Sequence, residues 1–406
     1  MGRYDFDAVP DRRGTNSLKY DFAAERGMPE GLLPLWVADM DFRIPPEVSR
    51  ALVRSAEHAI FGYSDSKPGY FAAVRDWFSR DFGYEPEAEW LVKTPGVVFA
   101  LAMAVRAFTD PGDAVLVQRP VYYPFSGVVD ANGRRLVNNP LVYEKDGARA
   151  GAGGRYRIDF DDFERKVAGE GVRLFLLCSP HNPVGRVWTR EELARMGEIC
   201  LAHGCVVVAD EIHCDFVFPG RRHQVFAAIS PEFACNTILC TAPSKTFNLA
   251  GLQVANIFIA DGGRRRRFLR EIDASGYSQL NAMGLVACQS AYEHGAEWLA
   301  QLREYLAGNL DLLRDFVRRR LPGVRLVEPE GTYLAWLDFN EALPDPVELD
   351  RFIVREAGLW LDAGTIFGPE GGGFERVNFA CPRATLEQAL DRLGAAWARR
   401  GAQGPR

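Results

Sequence analysis

Between about residues 90 and 260, short apolar runs ("AVLVQRP", "VRLFLLCSP", "CVVVADEIH", "TILCTAP", "VANIFIA") alternate with longer segments of helical periodicity such as "TREELARMGEICLAHG". Strands covered on both faces read as continuous apolar runs, and the helices between them carry the chain across the sheet. The rhythm therefore predicts an α/β layer structure, a mainly parallel sheet flanked by helices. In "TREELARMG", Thr189 precedes the periodic run and Glu192 follows three residues on. That spacing is a reciprocal capping box and sets a helix start at Thr189.

After about residue 290 the pattern changes to a long amphipathic helix ("EWLAQLREYLAGNLDLLRDFVRRRL"), a strand ("GTYLAWLDF"), a helix, a second strand ("ERVNFACP") and a closing helix. This predicts a smaller α+β domain. The first fifty residues are rich in Pro, Gly and Asp with little periodicity. The expected division is thus 1–50 as an arm and part of the small domain, 51–290 as the large domain, and 291–406 as the small C-terminal domain. A chain of 406 residues is long enough for two domains at the usual size of about 150 residues each.

Composition keeps the reading globular, with 47% hydrophobic and 25% charged residues. The net charge of -6 gives no general attraction for nucleic acid or anionic lipid. The clusters "RRRR" (264–267) and "RRR" (318–320) lie in charge-mixed helical segments and read as solvated faces. Neither a nucleic acid nor a membrane is expected as partner. The 8 cysteines form no C-x-x-C pair and several fall in apolar runs, which suits buried reduced thiols. The start "MGRYDFDAVPDRRGTN" lacks a signal-peptide core, and no run of about 18 apolar residues occurs, so a cytoplasmic location is expected.

Ligands of parallel α/β sheets collect at the carboxyl ends of the strands. Four apolar runs end there in reactive or polar residues: "LLCSPHNPVG" in Asn182, "VVVADEIH" in Asp210 and His213, "ILCTAPSK" in Ser244 and Lys245, and "LVQRPVYYP" in Tyr122 and Tyr123. Taken singly, each has an ordinary structural role, as strand-end cap, turn residue or half-buried aromatic. Together they match pyridoxal phosphate chemistry: a lysine for a Schiff base with the cofactor aldehyde, and a carboxylate to keep the pyridine nitrogen protonated. An aromatic ring such as Tyr122 can stack on the pyridine, and the Asn182 amide can bond the phenolic oxygen. "TPGVVFALAMAV" (94–105) offers a turn into a helix whose first amides, at Gly96, Val97 and Val98, suit a phosphate; it also reads as an ordinary helix start after Pro95.

"SPHNPVGRVW", "VVVADEIH", "APSKTFNLAGL" and "NFACPR" resemble the fold-type I aminotransferase superfamily. With "LPLWVADMDF" (33–42) and "FGYSDSKPGY" (61–70), the chain is similar to its MalY/PatB cystathionine β-lyase branch from about residue 30 to 390. The resemblance implies a seven-stranded large domain, pyridoxal 5'-phosphate as cofactor and a homodimer with shared active sites. It implies Lys245 as cofactor-bearing lysine and Cα base, Asp210 at the pyridinium and Asn182 at the phenolic oxygen. Tyr122 would stack on the ring, and Ser244 with Val97 and Val98 would hold the phosphate, helped by Thr241 or Thr246. Tyr63 would reach the neighbouring subunit's phosphate. Arg383, in "CPR", would clamp the substrate carboxylate, for which a bidentate fork is suited. Trp36, Ala38, Asp39, Tyr123 and Phe367 would line the far end of an amino-acid substrate. His213 stands among the cofactor-binding positions, where aminotransferases often carry tyrosine, and Gln253 where they often carry a phosphate-binding arginine.

The resemblance implies β-elimination from an S-substituted L-cysteine, giving a thiol, pyruvate and ammonia. An aminotransferase using the same residues, a secondary-metabolism relative acting on a bulky cysteine conjugate, and a regulatory binding protein on the same fold are the alternatives. A dinucleotide-binding dehydrogenase does not fit, because "GAGGRY" (151–156) lacks G-x-G-x-x-G spacing and follows no strand; it reads as a loop, as does "GPEGGGF" (368–374).

Overall fold

The computed structural model describes residues 3–145 and 153–402. Its central sheet has seven strands: β1 (Leu91–Thr94), β2 (Ala114–Val117), β3 (Arg135–Asn138), β4 (Val172–Cys178), β5 (Val206–Asp210), β6 (Thr237–Thr241) and β7 (Ala255–Phe258). Their spatial order is β1-β7-β6-β5-β4-β2-β3. Every neighbouring pair is parallel except the two that β7 makes, with β1 and with β6.

The continuous apolar runs are the buried strands, and their side chains divide alternately between two cores, as a pleated strand requires. On β4, Leu174 and Leu176 enter one core with the helix Val97–Phe108, while Phe175 and Leu177 enter the other. The predicted capping box is present. Thr189 precedes the helix Arg190–Ala202, its hydroxyl accepts from the Glu192 N–H at 3.2 Å, and its own N–H donates to Glu192 at 2.8 Å. β1 and β3 are half-exposed edge strands, so their sequences lack the long apolar run that marks their neighbours.

The helix Ala296–Arg320 leads to an antiparallel sheet of β8 (Arg325–Val327), β9 (Leu334–Asp338), β10 (Asp362–Ala363) and β11 (Phe374–Asn378), in the order β8-β9-β11-β10. The helix Arg383–Ala402 closes it. From the amino-terminal segment, Leu33–Pro34 pairs in parallel with Leu359–Trp360.

Two loop expectations are corrected. Arg155 and Tyr156 of "GAGGRY" belong to a strand, Arg155–Arg157, that pairs with Val142–Glu144, while Gly151 and Ala152 lie outside the described residues. "GPEGGGF" is packed: a Cβ on Gly371 would lie 1.9 Å from the Gly364 carbonyl oxygen, so glycine is needed for that approach. The arginine clusters sit on helices as expected; Arg264 is bonded to Asn236, Arg265 to the Ile259 carbonyl, and Arg318 to Asp315. All 8 cysteines are free, and only Cys235 is exposed. Among the described residues no helix is long and apolar enough to cross a membrane.

Candidate active site

Register makes the site. Cys178 of β4, Asp210 of β5 and Cys240 of β6 lie opposite one another, so three strands finish flush and their following residues meet over one edge. β6 is followed by a short turn, Pro243–Thr246, carrying Ser244 and Lys245. The chain then returns antiparallel as β7, so this connection never leaves that edge. One cavity there is lined by Ser244, Lys245, Asp210, His213, Asn182 and Tyr122, with Ala38, Gln253 and the Gly96–Val98 turn.

Lys245 Nζ donates to the Ala38 carbonyl at 2.7 Å, and the Tyr333 hydroxyl donates to the same oxygen at 2.8 Å. Burial pulls the Lys245 pKa down to about 8; Asp39 and Asp210 oppose that fall and Arg376 adds to it. The same burial pushes the Asp210 carboxyl up to about 7, while the Ile212 N–H and the Lys245 charge pull it back. A cationic partner at its free oxygen would therefore hold the carboxylate ionised. His213 is driven well below its ordinary pKa by burial, Lys245 and Arg376, and its Nδ1 has no partner, so its ring is neutral at pH 7.

Asn182 is fixed from both sides: its carbonyl accepts from the Tyr122 N–H at 3.0 Å, and its Oδ1 accepts from Arg376 at 3.1 Å. What remains of the amide is its Nδ2 end, a donor. The helix Val97–Phe108 has Gly96 at its N-cap and no side-chain cap, so its first amides keep free N–H groups aimed outward with the positive end of the dipole.

Arg376, on β11, is buried and forms an ion pair with Asp362. It also donates to the Trp36 carbonyl at 2.6 Å and lies 4.9 Å over the Phe367 ring. Arg383 is elsewhere: it donates to the Gly308 carbonyl at 2.9 Å and sits 5.2 Å over Tyr305. The expectation for Arg383 is corrected here, because it starts the closing helix whereas Arg376 projects from the strand that meets Asn182. The signal was in the quoted motif "ERVNFACP", where an arginine interrupts a buried strand.

Other expected residues are placed apart from the cavity lining. The Thr241 hydroxyl donates to the Asn256 carbonyl at 2.8 Å and the Thr246 hydroxyl to Asp215 at 2.6 Å, so both are spent on structure. Trp36 stacks on Trp360 with ring centroids 4.5 Å apart. Asp39 accepts from Arg12 at 2.6 Å. Tyr123 is 43% exposed, with its ring 5.0 Å from Tyr122 and 6.2 Å from Phe367. Tyr63 is fully exposed at 100% and takes no part in this chain's own cavity.

Sequence reasoning missed the clamp on loop 36–42. Buried Lys19 donates to Asp41 at 2.7 Å, and Arg12 bridges Asp41 at 2.7 Å and Asp39 at 2.6 Å. Asn248 bonds the Met40 N–H and carbonyl, and Asn378 bonds the Val37 and Asp39 carbonyls. No local pattern marks these partners, since they come together from four parts of the chain.

The donor set fits pyridoxal 5'-phosphate. An amine with lowered pKa stands ready for the aldehyde, a buried carboxyl needs a cationic partner, an amide donor suits the phenolic oxygen, and a helix N-terminus with Ser244 suits the phosphate.

The model of the family "Aminotransferase class I and II" matches residues 30–393. Cystathionine beta-lyase PatB of Bacillus subtilis (strain 168) is 44% identical over 391 residues, covering 96% of this chain and 99% of that protein. The structure of cystalysin from Treponema denticola, which contains a pyridoxal 5'-phosphate cofactor, matches with a TM-score of 0.92 at 36% identity, covering 98% of this chain and 99% of that one. The PLP-bound C-S lyase from Staphylococcus hominis matches with a TM-score of 0.87 at 33% identity, covering 97% and 98%.

Proposed function

The chain belongs to the aminotransferase class I and II family, and we propose that within it the protein is a pyridoxal 5'-phosphate-dependent carbon–sulfur β-lyase of the cystathionine β-lyase type. It splits an S-substituted L-cysteine into a thiol, pyruvate and ammonia. The observation that carries this reading is the end-to-end likeness to a cystathionine β-lyase, at 44% identity.

When bound, the cofactor supplies an electron sink that stabilises a carbanion at the amino acid's Cα. The rest falls to this chain's residues. Arg376 holds the substrate carboxylate through a planar fork, kept in place by Asp362 and Asn182. Lys245, with its pKa lowered by burial, takes the Cα proton and has the Ala38 carbonyl as acceptor for its own N–H. Asp210 would pair the cofactor's pyridine nitrogen, and the Asn182 amide would donate to its phenolic oxygen. Tyr122 would cover the ring, while the Val97 and Val98 amides with Ser244 would hold the phosphate. Neutral His213 lines the cavity without adding a charge.

The active unit is a homodimer. Ile60, Phe61 and Tyr63 are 72%, 61% and 100% exposed in one irregular segment, an apolar surface that a second copy covers while placing Tyr63 near its phosphate. Its free thiols and charge balance suit the cytoplasm. The test is pyruvate release from a panel of cysteine thioethers by the purified holoenzyme. Release from cystathionine and its analogues supports the reading, and silence across the panel overturns it.

A further inference from the structure

Arg26 ends a short turn, Ala24–Arg26, and places its guanidinium 4.9 Å over the Trp36 ring. The same indole stacks on Trp360, and its backbone carbonyl accepts from Arg376. Tyr123 lies within the field of both arginines: burial and Asp362 raise its phenol pKa, while Arg376 and Arg26 pull it back. Two guanidinium groups thus flank one aromatic wall. The inner one, Arg376, is buried and neutralised by Asp362. The outer one, Arg26, is exposed and has no carboxylate partner among the described residues.

A cysteine thioether anchored by its α-carboxylate on Arg376 would bring its sulfur-linked arm to Arg26 if that arm ran along Tyr123 and Trp36. Stacking on an indole face restrains a guanidinium while leaving its edge N–H groups free to fork onto a carboxylate. We propose that Arg26 is a specificity-determining residue that selects substrates whose sulfur-linked arm ends in a carboxylate. The assignment rests on the lyase reading for its substrate class and on the Arg26–Trp36–Tyr123 arrangement for its selectivity.

The test compares S-carboxyethyl-L-cysteine with neutral S-propyl-L-cysteine on the holoenzyme. Apparent Kd is read from the change in the bound cofactor's absorbance on mixing, and pyruvate is followed separately. The preference for the acidic compound should fall about tenfold to a hundredfold in Arg26→Ala, the usual weight of a hydrogen-bonded charge, and return in part in Arg26→Lys. Arg26→Glu should reverse it. An acid-to-neutral Kd ratio that is the same in wild type and all three variants overturns the assignment. Binding without pyruvate from either compound leaves the Kd ratio to decide on Arg26 and counts against the lyase reading alone.

Discussion

The Nζ of Lys245 and the carbonyl oxygen of Ala38 stand 2.7 Å apart, joined across 207 residues of sequence. That oxygen belongs to loop 36–42, whose position depends on Asp39 and Asp41 being held by Arg12 and by Lys19, whose side chain is fully buried at 0%. Lys19→Met should cost about 3–5 kcal/mol, because it removes a partner from a buried carboxylate. Urea denaturation measures the loss; a change below about 1 kcal/mol would show that the clamp does not hold the loop.

Lys245→Ala should abolish the visible absorption band of the bound cofactor and lower turnover by at least about a hundredfold, the lower range of a general acid–base contribution. The spectrum and a pyruvate assay on the same preparation check both effects. Survival of the band would remove Lys245 from its assigned role.

Kinetics should separate Arg376 from Arg383. Arg376→Lys keeps a charge for Asp362 but loses the bidentate fork, and kcat/KM should drop about tenfold to a hundredfold. Arg383→Ala loses only the Gly308 bond and the Tyr305 contact, so kcat/KM should move by less than about threefold. The reverse ranking would return the carboxylate to Arg383.

Asp210 gives the cofactor-free chain a specific pH dependence. Its carboxyl is raised from 3.8 to about 7 in the fold, so between these values the folded chain holds a proton that the unfolded chain has lost. Its contribution is complete below pH 4 and disappears as pH rises through 7, a change of order 4 kcal/mol. Lys245, lowered from 10.5 to about 8, acts oppositely, its penalty easing only as pH rises beyond 8. Urea unfolding of the cofactor-free protein at pH 5 and pH 7.5 should show about 2.5 kcal/mol of this loss in wild type, and Asp210→Asn should lack that share.

Much of this architecture was legible because buried parallel strands write themselves as apolar runs. β4, β5 and β6 could be located, and Asn182, Asp210, Ser244 and Lys245 followed from the strand ends. Arg376 was not legible from its motif, because "ERVNFACPR" carries both Arg376 and Arg383 and does not say which side chain turns inward. Lys19 and Arg12 were not legible at all: their meaning lies in Asp39 and Asp41, and only the tertiary fold joins them. Tyr63 is exposed on the single chain and takes no part in its cavity, so the role proposed for it depends on a second copy.

The central claim is elimination rather than amino-group exchange, and the most direct measurement is sustained turnover of L-cystathionine by the purified holoenzyme with no keto acid added. We predict homocysteine, pyruvate and ammonia in equal amounts over many turnovers, since β-elimination consumes no second substrate. Arrest after one equivalent, relieved by 2-oxoglutarate with formation of glutamate, would contradict the account.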